Sequence, residues 1–377
     1  MPRNWIPTPL GKVVSLQRGF DLAKEARIPG PFRILSAGKS GETHNEAKAK
    51  GPGFAIGRAT NLGKPQWSDE DFWPLNTTLF ATDFHGNDPR WLFYWFENAD
   101  LTGFDSGSVQ PMLNRNYIAS ISINLPPIEE QTAIATMLRS LDDKISTNIR
   151  IINATDSLVD VLYSRVSKMP TEQSFAKVIQ VFGGSTPSTK NDAFWDGDIN
   201  WATPTDITAL DGPWIGDTSR KITKAGLASM SSSLHPENSI LMTSRATIGA
   251  IALASGPIAT NQGFIVVEAP DELTPWLFAQ MKARKHEFEA WANGATFMEL
   301  SRGNFKKLPF IGCSDDDLQA FNDAAWPLLK RAQAAQKENQ VLARTRDELL
   351  PLLMSGRITV GEAEEAADVA GTAASES

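Results

Sequence analysis

The chain has 377 residues, 41% hydrophobic and 21% charged, with a formal net charge of −8. Length and composition suit two or three folded domains and exclude a disordered chain. The single cysteine, Cys313, excludes a disulfide framework and a multi-cysteine zinc site, and suits a reducing compartment. The opening stretch MPRNWIPTPLGKVV lacks the apolar core of a signal peptide, and no run of 18 apolar residues occurs. The expectation is a cytoplasmic protein without membrane contact. Acidity argues against a nucleic-acid partner, but five acidic residues and no basic one fall in 361–377, so the rest of the chain is near neutral.

In chain order, residues 1–124 read as short strands, such as 53–56 and 78–81, broken by Gly, Pro, Asn and Asp. After Leu125-Pro126-Pro127 the pattern changes. Glu129 and Glu130 suit a helix start. Ile134, Leu138, Leu141, Ile145, Asn148, Ile152, Thr155, Val159 and Leu162 then form a heptad seam, predicting one long helix within 125–170. Residues 171–307 return to short strands, including 239–242, 249–253 and 263–267. A second seam follows in 308–360: Phe321, Ala325, Leu328, Ala332, Ala335, Asn339, Leu342, Arg346 and Leu349, with Asp315, Asp316 and Asp317 at its start. Pro327 predicts a kink or restart near Trp326. The small, acidic stretch 361–377 reads as a disordered tail.

The halves repeat. Lys12-Val13-Val14 with Gly19 recurs as Lys177-Val178-Ile179 with Gly184. Arg58-Ala59-Thr60 recurs as Arg245-Ala246-Thr247, the block 107–115 as 294–302, and Leu125-Pro126 as Leu308-Pro309. Four colinear blocks indicate a tandem duplication of about 180 residues. The matched seams suggest that the two long helices pair, antiparallel, with a pseudo-two-fold axis. The alternative is that each helix packs on its own globule.

No catalytic constellation emerges. Gly38-Lys39-Ser40 lacks the upstream glycine of a phosphate-binding loop, and the 183–187 turn lacks dinucleotide spacing. His44, His85, His235 and His286 form no metal-binding pair. Cys313 lies beside three aspartates, which raise a thiol pKa, so a structural role fits it. Glu46-Ala47-Lys48 has no Pro-Asp partner for nuclease chemistry, and no amino-methyltransferase motif is present.

The assembled pattern resembles the specificity (S) subunit of type I restriction-modification systems. The residues that carry it are LPPIEEQTAIATMLRSLDDKI (125–145), the GGSTPS turn (183–188) with FWDGDINW (194–201), SRATIG (244–249), Asn261-Gln262-Gly263-Phe264 and RDELLPLLMSGRI (346–358). Gln17-Arg18-Gly19-Phe20-Asp21-Leu22 and Asp71-Phe72-Trp73-Pro74 look like the same family. The segment FIGCSDDD departs from its usual pattern at the start of the second helix. The resemblance implies an α+β fold: target recognition domains at 1–124 and 171–307, each followed by a long spacer helix in an antiparallel coiled coil. Each domain would read half of a bipartite, asymmetric target in double-stranded DNA. The helices would set the spacing and dock two modification (methyltransferase) subunits; restriction subunits could join these. S-adenosylmethionine, ATP and Mg would belong to those partners, with no cofactor, metal or catalysis in this chain. A module of another restriction-modification type, or a carbohydrate-binding or scaffold protein, is the alternative.

Recurring basic residues, Arg58 with Arg245 and Arg115 with Arg302, could hold phosphates, or could brace the fold through backbone contacts. Base-reading residues should differ between halves. The candidates are Arg33, Lys39, Lys48, Lys50 and Lys64 in the first half, and Lys190, Arg220, Lys221 and Lys224 in the second. The tryptophans, Trp67, Trp73, Trp91 and Trp95 among them, read as core. For helix pairing the candidates are Ile134, Leu138, Leu141, Ile145, Ile152, Val159 and Leu162, facing Phe321, Leu328, Leu342 and Leu349.

Overall fold

A computed structural model describes residues 4–38, 41–106, 112–294 and 298–375. It divides into two compact units: residues 1–144 with 341–377, and residues 145–340. The sequence places the long helices outside the globules. The structure instead cuts both helices, so that each unit owns a half of each.

In the first unit, the all-buried strand Gly53–Gly57 lies between Pro65–Ser68 and Thr78–Asp83, with Ser15–Arg18 at the far edge, all antiparallel. A smaller sheet sets Phe32–Leu35 antiparallel to Thr43–His44 and parallel to Phe72–Pro74. Helix Pro89–Asn98 starts sharply. Asp88 accepts from the Arg90 and Trp91 amides, and Pro89 supplies the fixed first φ. Its Trp91, Leu92, Tyr94 and Phe96 enter a core with Phe54, Ile56 and Leu79.

The second unit repeats the plan. Strand Ile240–Thr243 takes the place of Gly53–Gly57, between Ile251–Ala254 and Phe264–Glu268, with Gln180–Gly183 at the edge. It adds Trp214–Ile215, parallel to Ile251–Ala254. Trp195–Ala202, Lys221–Ile222 and Ala259–Thr260 form the smaller sheet. Glycines mark the shared scaffold. A Cβ on Gly19 would come within 2.2 Å of the Leu75 carbonyl oxygen, and one on Gly184 within 2.1 Å of that of Asn261. Only hydrogen fits at either approach. Gly63 and Gly249, at φ +75° and +83°, close the same loop, donating 2.9 Å bonds to the Gly57 and Thr243 carbonyls.

The first long helix runs Ile128–Arg165 and the second Asp315–Met354. The seam is buried, but within the units' own cores. Ile134, Leu138 and Leu141 join Leu349, Leu350 and Leu353 in the first unit's core, with Leu342 half-buried beside them. Ile152 and Val159 join Phe321, Ala325, Ala332 and Ala335 in the second, with Leu162 and Leu328 half-buried. Ile145 is half-buried, and its carbonyl accepts from Asn339 Nδ2 at 3.5 Å. Inside each unit the two helix halves run antiparallel. Asp142 meets Arg346 at 3.0 Å in the first; Asn148 meets Glu338 at 2.7 Å, and Tyr163 the ring of Phe321, in the second.

The restart expected near Trp326 does not occur: the second helix runs unbroken through Pro327. Pro327 is solvent-exposed, so water can serve the carbonyl left without its helical donor, while Trp326 Nε1 and Asn322 Nδ2 bind the carbonyls of Asp271 and Glu272 and hold the turn in place. Nor is the acidic segment a disordered tail: it forms helix Val360–Ser375. Thr359 Oγ1 accepts from the Glu362 amide while the Glu362 carboxylate accepts from the Thr359 amide, a reciprocal cap. Ala363 is fully buried, and Val360 and Ala367 pack on the first unit's core.

Candidate nucleic-acid interface

The second unit carries a basic cleft. Gly183, Gly184, Gln262, Arg245, Arg302 and Lys306 line a cavity of about 500 Å³. Ser301 caps helix Arg302–Lys307, which places Arg302 against the bare backbone of Gly183. Arg245 spends its charge on Glu299, 2.9 Å away. Arg302 and Lys306 have no polar side-chain partner among the described residues. An anion entering here meets two uncommitted cations beside glycine backbone.

In the first unit, Arg115 also opens a capped helix, Arg115–Ile118, and reaches the Leu16 carbonyl at 3.5 Å. The Arg115 and Arg302 positions are therefore equivalent, as the repeat suggests. The Arg58 and Arg245 positions are not. Strand register pairs Gly57 with Thr78 and Thr243 with Phe264. Leu113 donates to the Arg58 carbonyl, whereas its counterpart Leu300 donates to that of Ser244. Arg58 thus stands where Ser244 does, and the shared Arg-Ala-Thr triplet is one residue out of structural register. Sequence matching aligned the identical letters; the hydrogen-bonded loop between Gly57 and Lys64 aligns with that between Thr243 and Ala250.

Most of the other candidates are committed. Arg33 donates to the Trp67 carbonyl at 3.1 Å and Lys64 to that of Glu97 at 2.7 Å, both beside a second cavity of about 500 Å³. Burial raises the Glu97 carboxyl above its ordinary range, with Lys64 opposing. Lys48 lies 5.2 Å above the Trp73 ring and 3.6 Å from Glu46. Lys50 pairs with Asp71 at 2.7 Å, and its hydrogen bond, then that of the Gly51 amide, holds the Asp71 carboxyl low. Lys221 pairs with Asp217 at 3.1 Å. Lys39 lies outside the described residues. Arg58, Lys190, Arg220 and Lys224 carry no ion pair or side-chain hydrogen bond among the described residues, and Arg220 alone of these lies on aromatic rings, Trp195 and Trp201.

The structure also reveals groups that sequence reading missed. Arg90 lies over Trp67, Phe93 and Tyr94, its centre 4.5, 4.9 and 5.4 Å from their rings. Tyr94 donates to Asp142 at 2.6 Å; burial first, then that carboxylate, pushes the phenol well above its usual range. The helical spacing of Arg90, Phe93 and Tyr94 was the available signal. Trp91 and Trp73 are core, as expected; Trp67 and Trp95 are half-buried. Burial, then Asp317 and Asp315, raises the Cys313 thiol, which suits a structural role. Among the described residues, no three His, Cys, Asp or Glu side chains gather as a metal site, and no helix is long and apolar enough to cross a membrane.

The chain is a duplicated α+β scaffold whose copies differ in their surface charges, and known proteins supply its family. A family model described as the type I restriction modification DNA specificity domain matches residues 3–154 and again 174–311. The chain belongs to that family and carries two copies of the domain. It is 31% identical over 191 residues to the type I restriction enzyme MjaIX specificity subunit of Methanocaldococcus jannaschii, covering 49% of this chain and 44% of that protein. It is 26% identical over 183 residues to the type I restriction enzyme HindI specificity subunit of Haemophilus influenzae, covering 48% and 39%. Each match spans less than half of the relative's length. The solved S subunit of a type I restriction-modification system from M. genitalium shares the fold, with a TM-score of 0.67 at 15% identity, covering 93% of this chain and 96% of that one.

Proposed function

We propose that this chain is the DNA specificity subunit of a type I restriction-modification complex. Each unit reads one half of a bipartite, asymmetric target, and the long helices set the spacing and dock two methyltransferase subunits, which restriction subunits can join. Catalysis, S-adenosylmethionine, ATP and Mg belong to those partners, and the complex works in the cytoplasm. The observation that carries this reading is the family domain occurring twice on one scaffold, with cations in one copy where the other has none, as at Arg58 against Ser244. A near-neutral chain outside its last helix holds few phosphates by itself, so the partners supply much of the phosphate-binding charge.

The test is methylome sequencing of cells that carry this chain and its modification subunit. A split adenine-methylated motif that disappears when the chain is deleted is the expected result; no such motif would sink the reading. The charge argument has its own readout. The assembled complex should bind duplex more tightly, and with a steeper salt dependence, than the chain alone.

A further inference from the structure

We propose that Arg220 is a specificity-determining residue that reads a guanine in the half-site of the second unit. The inference rests on the function proposed above and names one base contact within it.

Three observations carry it. The guanidinium is uncommitted but held. Its carbon lies 3.5 Å from the centroid of the Trp195 ring and 5.8 Å from that of Trp201. No hydrogen bond or ion pair engages its nitrogens among the described residues. A guanidinium lying on an indole keeps its edge donors free, and the stack lowers the entropy lost when they bind.

The platform is itself rigid. Trp195 Nε1 donates to the Ser188 carbonyl at 3.2 Å and Trp201 Nε1 to that of Ser185 at 3.1 Å, and the two rings meet edge-on at 5.1 Å. The Arg220 backbone is pinned as well, its carbonyl accepting from the Trp201 amide at 3.3 Å and from Thr218 Oγ1 at 2.7 Å.

The position also differs between the copies. In the first unit, the Ile34 amide donates to the Glu42 carbonyl as the Trp201 amide does to that of Arg220, and the flanking strand pairs agree. Glu42 therefore occupies the Arg220 position, with its carboxylate on Arg27. A phosphate contact would be served by the same charge in both copies. A reversal of sign on a shared scaffold is what two halves need to read different bases. A fixed arginine fork matches the O6 and N7 acceptors of guanine in the major groove.

The experiment selects duplexes from a randomised double-stranded DNA library with the full chain assembled with its modification subunits, comparing wild type, Arg220→Ala and Arg220→Lys. The wild type should recover a split motif with a G·C pair in one half. Both variants should lose preference at that one pair by about tenfold to a hundredfold, leaving the other half-site intact. Arg220→Lys keeps the charge but not the fork, and should retain binding to unrelated duplex. A uniform loss over all sequences, relaxation at an A·T pair, or full preference in the lysine variant would overturn the assignment. A wild type that recovers no split motif would instead overturn the proposed function, and the guanine contact with it.

Discussion

At the scale of residues, charge count is a poor guide to which cations are available. Arg33, Lys48, Lys50, Lys64, Lys221 and Arg245 all look free in the sequence, yet each is held by a carbonyl, a carboxylate or a ring. Arg302 is uncommitted and recurs as Arg115. We expect Arg302→Ala to weaken binding about equally for all duplex sequences and to lower the salt slope by about one; a change confined to one base position would contradict a phosphate role. Asp206 offers a pH test. Burial alone would raise its carboxyl, but bonds of 2.6 Å from Thr203 Oγ1, 2.7 Å from the Thr203 amide and 2.9 Å from the Ser219 amide outweigh it and hold the carboxyl low. A depressed carboxyl stabilises the fold above its unfolded value of 3.8 and loses that contribution as pH falls through the folded value. Urea denaturation should therefore show Asp206→Asn less stable than wild type at pH 7, with the gap closing below about pH 4.

Among the elements, the long helices were legible because a heptad seam is a local pattern. Their starts, at Ile128 and Asp315, follow the acidic first turns read from the sequence. What covers the seam was not legible, since a spacing of three and four says nothing about the partner. The first unit's core closes on Leu138, which is fully buried, while Leu158 on the same helix is 50% exposed. Leu138→Ala should cost about 2–5 kcal/mol, and Leu158→Ala less than about 0.5 kcal/mol, in chemical denaturation. Equal, small effects would mean that the helix stands apart from the globule. The C-terminal helix was legible in principle, since Thr359 and Glu362 have the spacing of a reciprocal cap. Composition outvoted it, because alanine and glutamate suit both a helix and a disordered chain.

For the whole molecule, the division at Lys144 and Gln340 marks where the spacer can be lengthened. A heptad inserted after Lys144 and another after Gln340 would add about 10 Å to each helix and preserve the seam. Each unit's own contacts, such as Asn148 with Glu338, would stay intact. Methylome sequencing should then show unchanged half-site sequences separated by about three more base pairs. Unchanged spacing would end the idea that the helices act as a ruler.

The duplication, the strand-rich halves, the two long helices and the family were determined by the sequence alone, because each rests on order and local periodicity. Equivalence between individual residues was decided only by the tertiary structure. Hydrogen-bond register, not letter identity, aligns Arg58 with Ser244 and Glu42 with Arg220. Which cations are free was decided there too, since a charge is committed by neighbours distant in sequence: Trp67 for Arg33, Glu299 for Arg245, and a tryptophan pair that leaves the fork of Arg220 open.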